Sequence, residues 1–263
     1  MLVMRLPGQS GTSISCKPFH LWSPVMLFTN MRLQYSISDI SNFLRARVLA
    51  AKADAAIDQA KFQEVISNHA SEGYDSYKYF DKQLWLRSKM MRAIELGLDK
   101  APPLSVLDIG CGAGYFLYCC KYLGHDVHGI DLPHYKFYRD MIAMFGIPRT
   151  GFRIEPYTPL PALGKRFDVI TAHQICFNGH KTERMWGPEE WDFILNDFEE
   201  NLLEPGGTIA LEFNEEPEIG FYTKEVRQYF ESRSARIFRG RVFLAGEDPL
   251  IAPQIRRVAE RAL

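Results

Sequence analysis

The residues best suited to chemistry lie in one run, Asp108-Ile109-Gly110-Cys111-Gly112-Ala113-Gly114. The apolar segment Ser105–Ile109 leads into three glycines at alternate positions, and helix-forming residues follow from about Gly114. Glycine lets the backbone turn sharply and lets a bulky ligand approach with no Cβ in its way. The amides that open the following helix are unpaired and favour an electronegative ligand group. Cys111 suits such a turn as a small side chain, and nothing beside it argues for a reactive thiolate. A second acid, Asp131, ends the apolar run Gly129-Ile130-Asp131-Leu132, 17 residues beyond Gly114. That distance allows one helix and one returning strand, and an acid at such a place accepts hydrogen bonds from ribose hydroxyls. The competing reading of Asp131 is an N-cap for a helix opened by Pro133.

Two histidines are candidates for a general base. His173 follows the apolar run Phe167–Ala172 and, with Gln174, emerges where that strand ends. His180 lies in the polar loop Phe177-Asn178-Gly179-His180-Lys181. Either serves equally as a polar pocket wall. His125 and His128 flank the second strand and read as structural, as does Asp168 near the start of its strand. No nucleophilic triad is visible.

The elements that hold these groups alternate between strand and helix, the texture of a doubly wound, mostly parallel sheet covered on both faces. Strands are expected at Ser105–Ile109, Asp126–Ile130, Phe152–Glu155, Phe167–Ala172 and Thr208–Phe213. Helices are expected near Gly114–Leu123, Pro133–Phe145, Pro188–Leu203 and Thr223–Ser232. Ala235–Phe238 and Arg241–Ala245, joined at Arg239-Gly240, read as a hairpin, which makes one strand antiparallel. Upstream, Ile40, Phe43, Leu44, Val48, Ala51 and Ala55 form an apolar stripe, continued by Phe62, Val65, Ile66 and His69. A further helical stretch runs from about Tyr77 to Leu98 and stops before Pro102-Pro103. Pro188 with Glu189 and Glu190 marks a helix start, and Trp186 reads as packing under that helix.

The glycine run resembles motif I of the class I S-adenosylmethionine-dependent methyltransferases, which end their first strand as acidic-x-G-x-G-x-G. A dinucleotide turn wants G-x-G-x-x-G, but Tyr115 stands where its third glycine would be. The run from Phe167 to Gln174 resembles the family's fourth-strand motif, and Leu203-Glu204-Pro205-Gly206-Gly207-Thr208-Ile209 its turn into the fifth strand. The resemblance covers about Leu104 to Ala245 and implies a seven-stranded sheet with an antiparallel last strand. It implies S-adenosyl-L-methionine as cofactor, with S-adenosyl-L-homocysteine as product. The cofactor-binding residues it points to are Asp108, Gly110, Cys111, Gly112, Gly114, Asp131, Leu132 and His173. Tyr157 is a candidate for the adenine pocket. From the aromatic cluster before motif I, Tyr79 and Arg87 are candidates for the methionine carboxylate, although a satellite core is the plainer reading of that cluster. Two departures narrow the acceptor. No Asn-Pro-Pro-Tyr segment follows the fourth strand, and no repeated acidic pair suggests metal-assisted catechol methylation.

Composition agrees with a small polar acceptor methylated at oxygen or nitrogen. The chain has 263 residues, 46% hydrophobic and 24% charged, with 31 basic and 32 acidic side chains. That balance gives no basic surplus for a nucleic acid. The five cysteines, Cys16, Cys111, Cys119, Cys120 and Cys176, form neither zinc spacing nor a disulfide framework, so no metal and a cytoplasmic setting are expected. No run is long and apolar enough for a membrane span. Residues 1–36 are expected to form a flexible arm, with Met31 a possible later start. Residues 37–100 are expected to form a helical cap that could serve as a homodimer arm, and 101–263 the cofactor-binding domain. Two other readings remain: a non-catalytic scaffold that keeps the fold, and a nicotinamide-dependent oxidoreductase.

Overall fold

The computed structural model describes residues 37–71, 74–175, 185–217 and 219–245. Two compact units divide the chain between Ile40 and Ser41. Of the first, only the opening turn of a helix is described; the sheet and the helices that cover it belong to the second. The expected arm, the His180 loop and the residues after Ala245 lie outside the described residues.

Seven strands form one mixed sheet: β1 Ser105–Ile109, β2 Asp126–Asp131, β3 Arg149–Gly151, β4 Phe167–Ile175, β5 Leu203–Phe213, β6 Arg236–Phe238 and β7 Arg241–Ala245. Their spatial order is β3-β2-β1-β4-β5-β7-β6. The first five run parallel, while β7 pairs antiparallel with both β5 and β6. The dinucleotide fold instead runs six strands in the order 3-2-1-4-5-6. Insertion of β7 between β5 and β6 departs from it.

The helices are α1 Ile37–Ala55, α2 Gln59–His69, α3 Tyr74–Tyr77, α4 Lys82–Glu95, α5 Tyr115–Tyr122, α6 Lys136–Met144, α7 Pro188–Asp197 and α8 Lys224–Ser232, with a π-helical turn at Phe198–Leu202. Strand alternation divides the core in two. Val106, Val127, Val169, Ala210 and Phe243 face α1, α2, α4, α5 and α6. Leu107, Ile109, Ile130, Ile170, Ile209 and Leu211 face α7 and α8. Trp186 is buried edge-on to Trp191, and the Glu190 carboxylate accepts the Gly187 N–H at 2.9 Å to cap α7.

Three sequence expectations need correction. The third strand is Arg149–Gly151 rather than Phe152–Glu155: beyond Gly151 the Phe152 N–H makes one more bond to the Asp131 carbonyl at 2.9 Å, and Phe152 and Ile154 pack against the core outside the strand. The helix expected from Tyr77 begins at Lys82, because the Asp81 carboxylate accepts the Leu84 N–H at 3.0 Å and sets the cap there. In α1 the apolar stripe points outward, with Phe43, Leu44 and Val48 each more than half exposed. The buried face carries Ala46, Ala50 and Ala53, whose small side chains allow close approach; the Tyr118 hydroxyl reaches the Ala53 carbonyl at 2.8 Å.

Candidate cofactor site at the carboxyl edge of the sheet

The three glycines after β1 all lie in the left-handed region, with φ of +72° at Gly110, +54° at Gly112 and +76° at Gly114. An L side chain there is strained whatever the space. Gly110 and Cys111 donate their N–H groups to the Ile130 carbonyl at 2.8 and 3.2 Å, which ties the turn to β2. A Cβ at Gly114 would meet Ile142 Cγ1 at 2.7 Å, so that glycine serves packing as well as the turn. A Cβ at Gly112 would instead stand 3.4 Å from the Tyr79 hydroxyl, across the open side of the turn. The α5 N-cap is Gly114, which has no side chain to cap the first amides.

Asp131 ends β2 beside this turn. Its carboxylate accepts the Gly112 N–H at 2.5 Å and the Leu132 N–H at 2.6 Å. Burial raises its pKa even though both amides and Arg149 pull the other way. A carboxylate has about four lone-pair sites, so two remain for donors from a ligand. The helix-cap reading of Asp131 fails, since α6 starts at Lys136 with Tyr135 as its N-cap. Cys111 packs beneath the turn, and burial pushes its thiol well above the ordinary range.

Tyr79 covers the turn. Its ring lies among Trp85, Tyr115, Phe137 and Tyr138, and its carbonyl accepts the Tyr115 hydroxyl at 2.7 Å. Arg87 and Tyr157 stand apart from this group. Arg87 is exposed on α4, where its Nε donates to the Gln83 carbonyl at 3.0 Å. Tyr157 lies half-exposed with φ +57° and its ring edge-on to Phe193 of α7.

Asp108 and His173 meet, on the face of the sheet covered by α4. The Asp108 Oδ1 accepts the Thr171 hydroxyl at 2.6 Å and lies 3.3 Å from His173 Nδ1. The His173 side chain is 7% exposed, its ring edge-on to Phe116 with centroids 4.4 Å apart. On β5 the residue in register with His173 is Glu212, and opposite Glu212 on β7 is Arg241. The sequence reading missed this continuation. Arg92 of α4 grips Glu212 through Nε at 3.0 Å and through a second, Nη2 bond, and it also meets Glu95 at 2.9 Å. Arg241 closes the ring on Glu95 at 2.9 Å. Lys89, one helical turn before Arg92, is a third cation of the group; burial lowers its pKa against the pull of Asp108 and Glu212. Burial also pushes the Glu212 carboxyl up, but Arg92, with His173 and Arg241 behind it, holds it below the ordinary range. A cavity of about 20 Å³ lies between His173, Glu212, Arg92 and Arg241, room for one water. A charged residue inside the apolar run Ile209-Ala210-Leu211-Glu212-Phe213 was the available signal for the cluster.

Immediately after His173, Gln174 takes a left-handed conformation with φ +55° at a register shift between β4 and β5. Such irregularities re-aim the chain at the end of a strand. Elsewhere, Asp168 accepts the backbone and hydroxyl of Ser105, both at 2.7 Å, and His125 bridges Leu104 and Leu98. Both are structural. A larger hollow of about 390 Å³ sits at the amino edge of the sheet, between Arg166, Glu204, Gly206 and Arg233, away from the glycine turn.

No protein-family model and no curated protein sequence matches the chain. Solved structures of many S-adenosylmethionine-dependent small-molecule methyltransferases do. The glycopeptide N-methyltransferase MtfA, complexed with S-adenosylmethionine, is 18% identical with a TM-score of 0.37; 48% of this chain is covered, and the chain spans about half of MtfA, 54%. Burkholderia thailandensis 1,6-didemethyltoxoflavin-N1-methyltransferase is 16% identical over 72% of this chain and 90% of its own, with a TM-score of 0.45. A S-adenosylmethionine-dependent methyltransferase from Aquifex aeolicus is 20% identical over 65% and 98%, with a TM-score of 0.41. At such identities the likeness is one of fold.

Proposed function

We propose that this chain is an S-adenosylmethionine-dependent methyltransferase that methylates an oxygen or nitrogen of a small polar acceptor. The observation that carries the reading is the cradle after β1. Three left-handed glycines present bare backbone, Asp131 stands beside them with lone pairs to spare, and Tyr79 closes the open side. A Cβ at Gly112 would fill that cradle. The cofactor, when bound, supplies an electrophilic methyl group on a sulfonium with a good leaving group. Gly110, Gly112 and Gly114 would admit it, Asp131 would receive ribose hydroxyls, and the α5 N-terminus would face its electronegative end. The chain's remaining work is to orient the acceptor and exclude water. The aromatic wall of Tyr79, Trp85 and Tyr115 suits the second task.

The test is a calorimetric titration with S-adenosylmethionine and S-adenosylhomocysteine, with NAD(H) and NADP(H) in parallel. Micromolar binding of the sulfur ligands alone, about −8 kcal/mol, is expected, and Gly112→Val should abolish it. Nicotinamide binding alone would overturn the reading. Cofactor binding without methyl transfer across an acceptor screen would favour a scaffold.

A further inference from the structure

We infer that the outward face of α1 docks on an anionic membrane surface, with Phe43, Leu44 and Val48 entering the headgroup boundary and Arg47 and Lys52 meeting the lipid phosphates and carboxylates. The inference concerns the helical cap and stands independently of the cofactor reading.

The helix repeat sorts α1 into two faces. Ala46, Ala50 and Ala53 turn inward and are buried, while Phe43, Leu44, Arg47, Val48, Ala51 and Lys52 follow at spacings of three and four on the outer side. That strip runs about 14 Å along the helix. Phe43 is 52% exposed and Leu44 and Val48 are each 55% exposed; among the described residues no other element sets three large apolar side chains in water on one face. A single exposed apolar residue is ordinary, but a contiguous patch marks a surface that binds something. The fold itself does not use these three side chains, since α1 packs through its alanines.

Charge identifies the occupant. Arg47 and Lys52 are exposed on the strip, and no acid shares it. At its margins the charges are already engaged, Arg45 with Asp99 at 3.0 Å and Asp54 with Lys82 at 2.7 Å. The Arg47 guanidinium lies 5.8 Å over the Phe43 ring, so its stem covers apolar surface while its charged head stays in water. Residues 1–36, ahead of the helix in sequence, carry Arg5, Lys17 and Arg32 and no acid, although the whole chain has 31 basic and 32 acidic side chains. Positive charge is thus gathered toward this end of the sequence. A second copy fits the face badly: in a two-fold pair the same patch meets itself, and Arg47 and Lys52 would face cations with no acid to offset them. An anionic bilayer supplies hydrocarbon for the apolar side chains and negative charge for the two cations, the combination that holds amphipathic helices in the interface.

The full chain is sedimented with vesicles of phosphatidylcholine alone and of phosphatidylcholine with phosphatidylserine. Binding is expected to the second kind only, and to weaken as salt is raised. Phe43→Gln/Leu44→Gln, which keeps a good helix former at both positions, should weaken it by about tenfold or more. Arg47→Gln/Lys52→Gln should weaken it by about fivefold per charge. All four side chains are exposed, so urea midpoints should stay at the wild-type value and any loss reports on the surface; the salt series needs no variant at all. Equal binding to both kinds of vesicle, or none to either, overturns the inference. So does wild-type binding by both double variants, which would move the contact elsewhere in the chain. Sedimentation equilibrium without lipid supplies the remaining outcome: a dimer that Phe43→Gln/Leu44→Gln splits would assign the face to a second copy and overturn the inference.

Discussion

Removing the Arg92 guanidinium tests whether the charges beneath the glycine turn act as one unit. In Arg92→Met, Glu95 keeps Arg241 at 2.9 Å, but Glu212 loses both its close bonds and keeps Arg241 Nε at 4.0 Å, with Lys89 and His173 acting on it at longer range. The Glu212 side chain is 14% exposed and that of Arg92 21%. Stranding a buried charge costs about 3–5 kcal/mol, and this partial exposure places the loss near about 3 kcal/mol. For a domain of this size that corresponds to a fall in Tm of about 6–12 °C. The double variant Arg92→Met/Glu212→Leu strands no carboxylate and should lose only about 1–2 kcal/mol, so the cycle should show coupling of about 2 kcal/mol. Urea unfolding measures all four proteins, and pH supplies a second axis. In the wild type Glu212 lies below its ordinary value of 4.5. Its contribution is therefore complete above that value and is lost as pH falls through the lower, folded one. Without Arg92, burial raises the same carboxyl, so the penalty of the variant is largest at neutral pH and shrinks as acid neutralises Glu212. Losses that are below about 0.5 kcal/mol, additive and flat with pH would refute the argument and make the cluster a set of exposed surface pairs.

The other predictions concern the scaffold. A Cβ at Gly129 would fall 2.6 Å from Cys111 Sγ and 3.0 Å from Leu117 Cδ1. Gly129→Ala should cost about 1–3 kcal/mol by overpacking, and adding Cys111→Ala should recover part of it; an unchanged urea midpoint in the single variant would count against this packing. His125 accepts the Leu104 N–H at 3.1 Å and donates to the Leu98 carbonyl at 2.8 Å, and burial lowers its pKa. Its stabilisation is present above the ordinary value of 6.5 and declines as pH falls through the depressed folded one. His128 is shifted in the same direction by burial. Unfolding free energies between pH 7 and pH 5 should therefore decline in the wild type and less so in His125→Gln, and equal slopes would remove His125 as a source of the pH dependence.

The strand β1, the glycine turn and Asp131 were legible because each is encoded locally: a short apolar run, then residues whose backbone freedom the turn requires. The mostly parallel sheet with one antiparallel strand followed from alternation and one hairpin. What escaped was encoded elsewhere. β3 is only three residues long and is fixed by pairing with β2, so the apolar alternation of Phe152 and Ile154 outweighed it in the sequence. The inward face of α1 is made of alanines, which count little beside Phe43 and Leu44 in any apolar pattern, yet alanine is what close packing selects. The site divides in the same way. The turn lies in one segment, but Lys89, Arg92, His173, Glu212 and Arg241 come from four elements and acquire meaning only once the sheet sets them side by side. On α4 the helix repeat turns Leu86 and Met90 inward and leaves Arg87 exposed, while Arg92, which no sequence pattern singled out, reaches the charged cluster.

The row His173, Glu212, Arg241 crosses three neighbouring strands on one face of the sheet. Along β5 it alternates with Leu211 and Phe213, which point to the other face, where Phe213 touches Trp191 and Phe230. Were β5 to pair one residue out of step, every side chain would change faces. Glu212 would enter that aromatic cluster with no cation near it, and Arg92 and Arg241 would meet Phe213 or Leu211. Apolar residues on both faces would tolerate such a slip, since either alignment buries hydrocarbon. The charges do not, because an unpaired ion in hydrocarbon costs several kcal/mol. The same row therefore selects among alignments during folding, and its polar residues specify which sheet the chain builds.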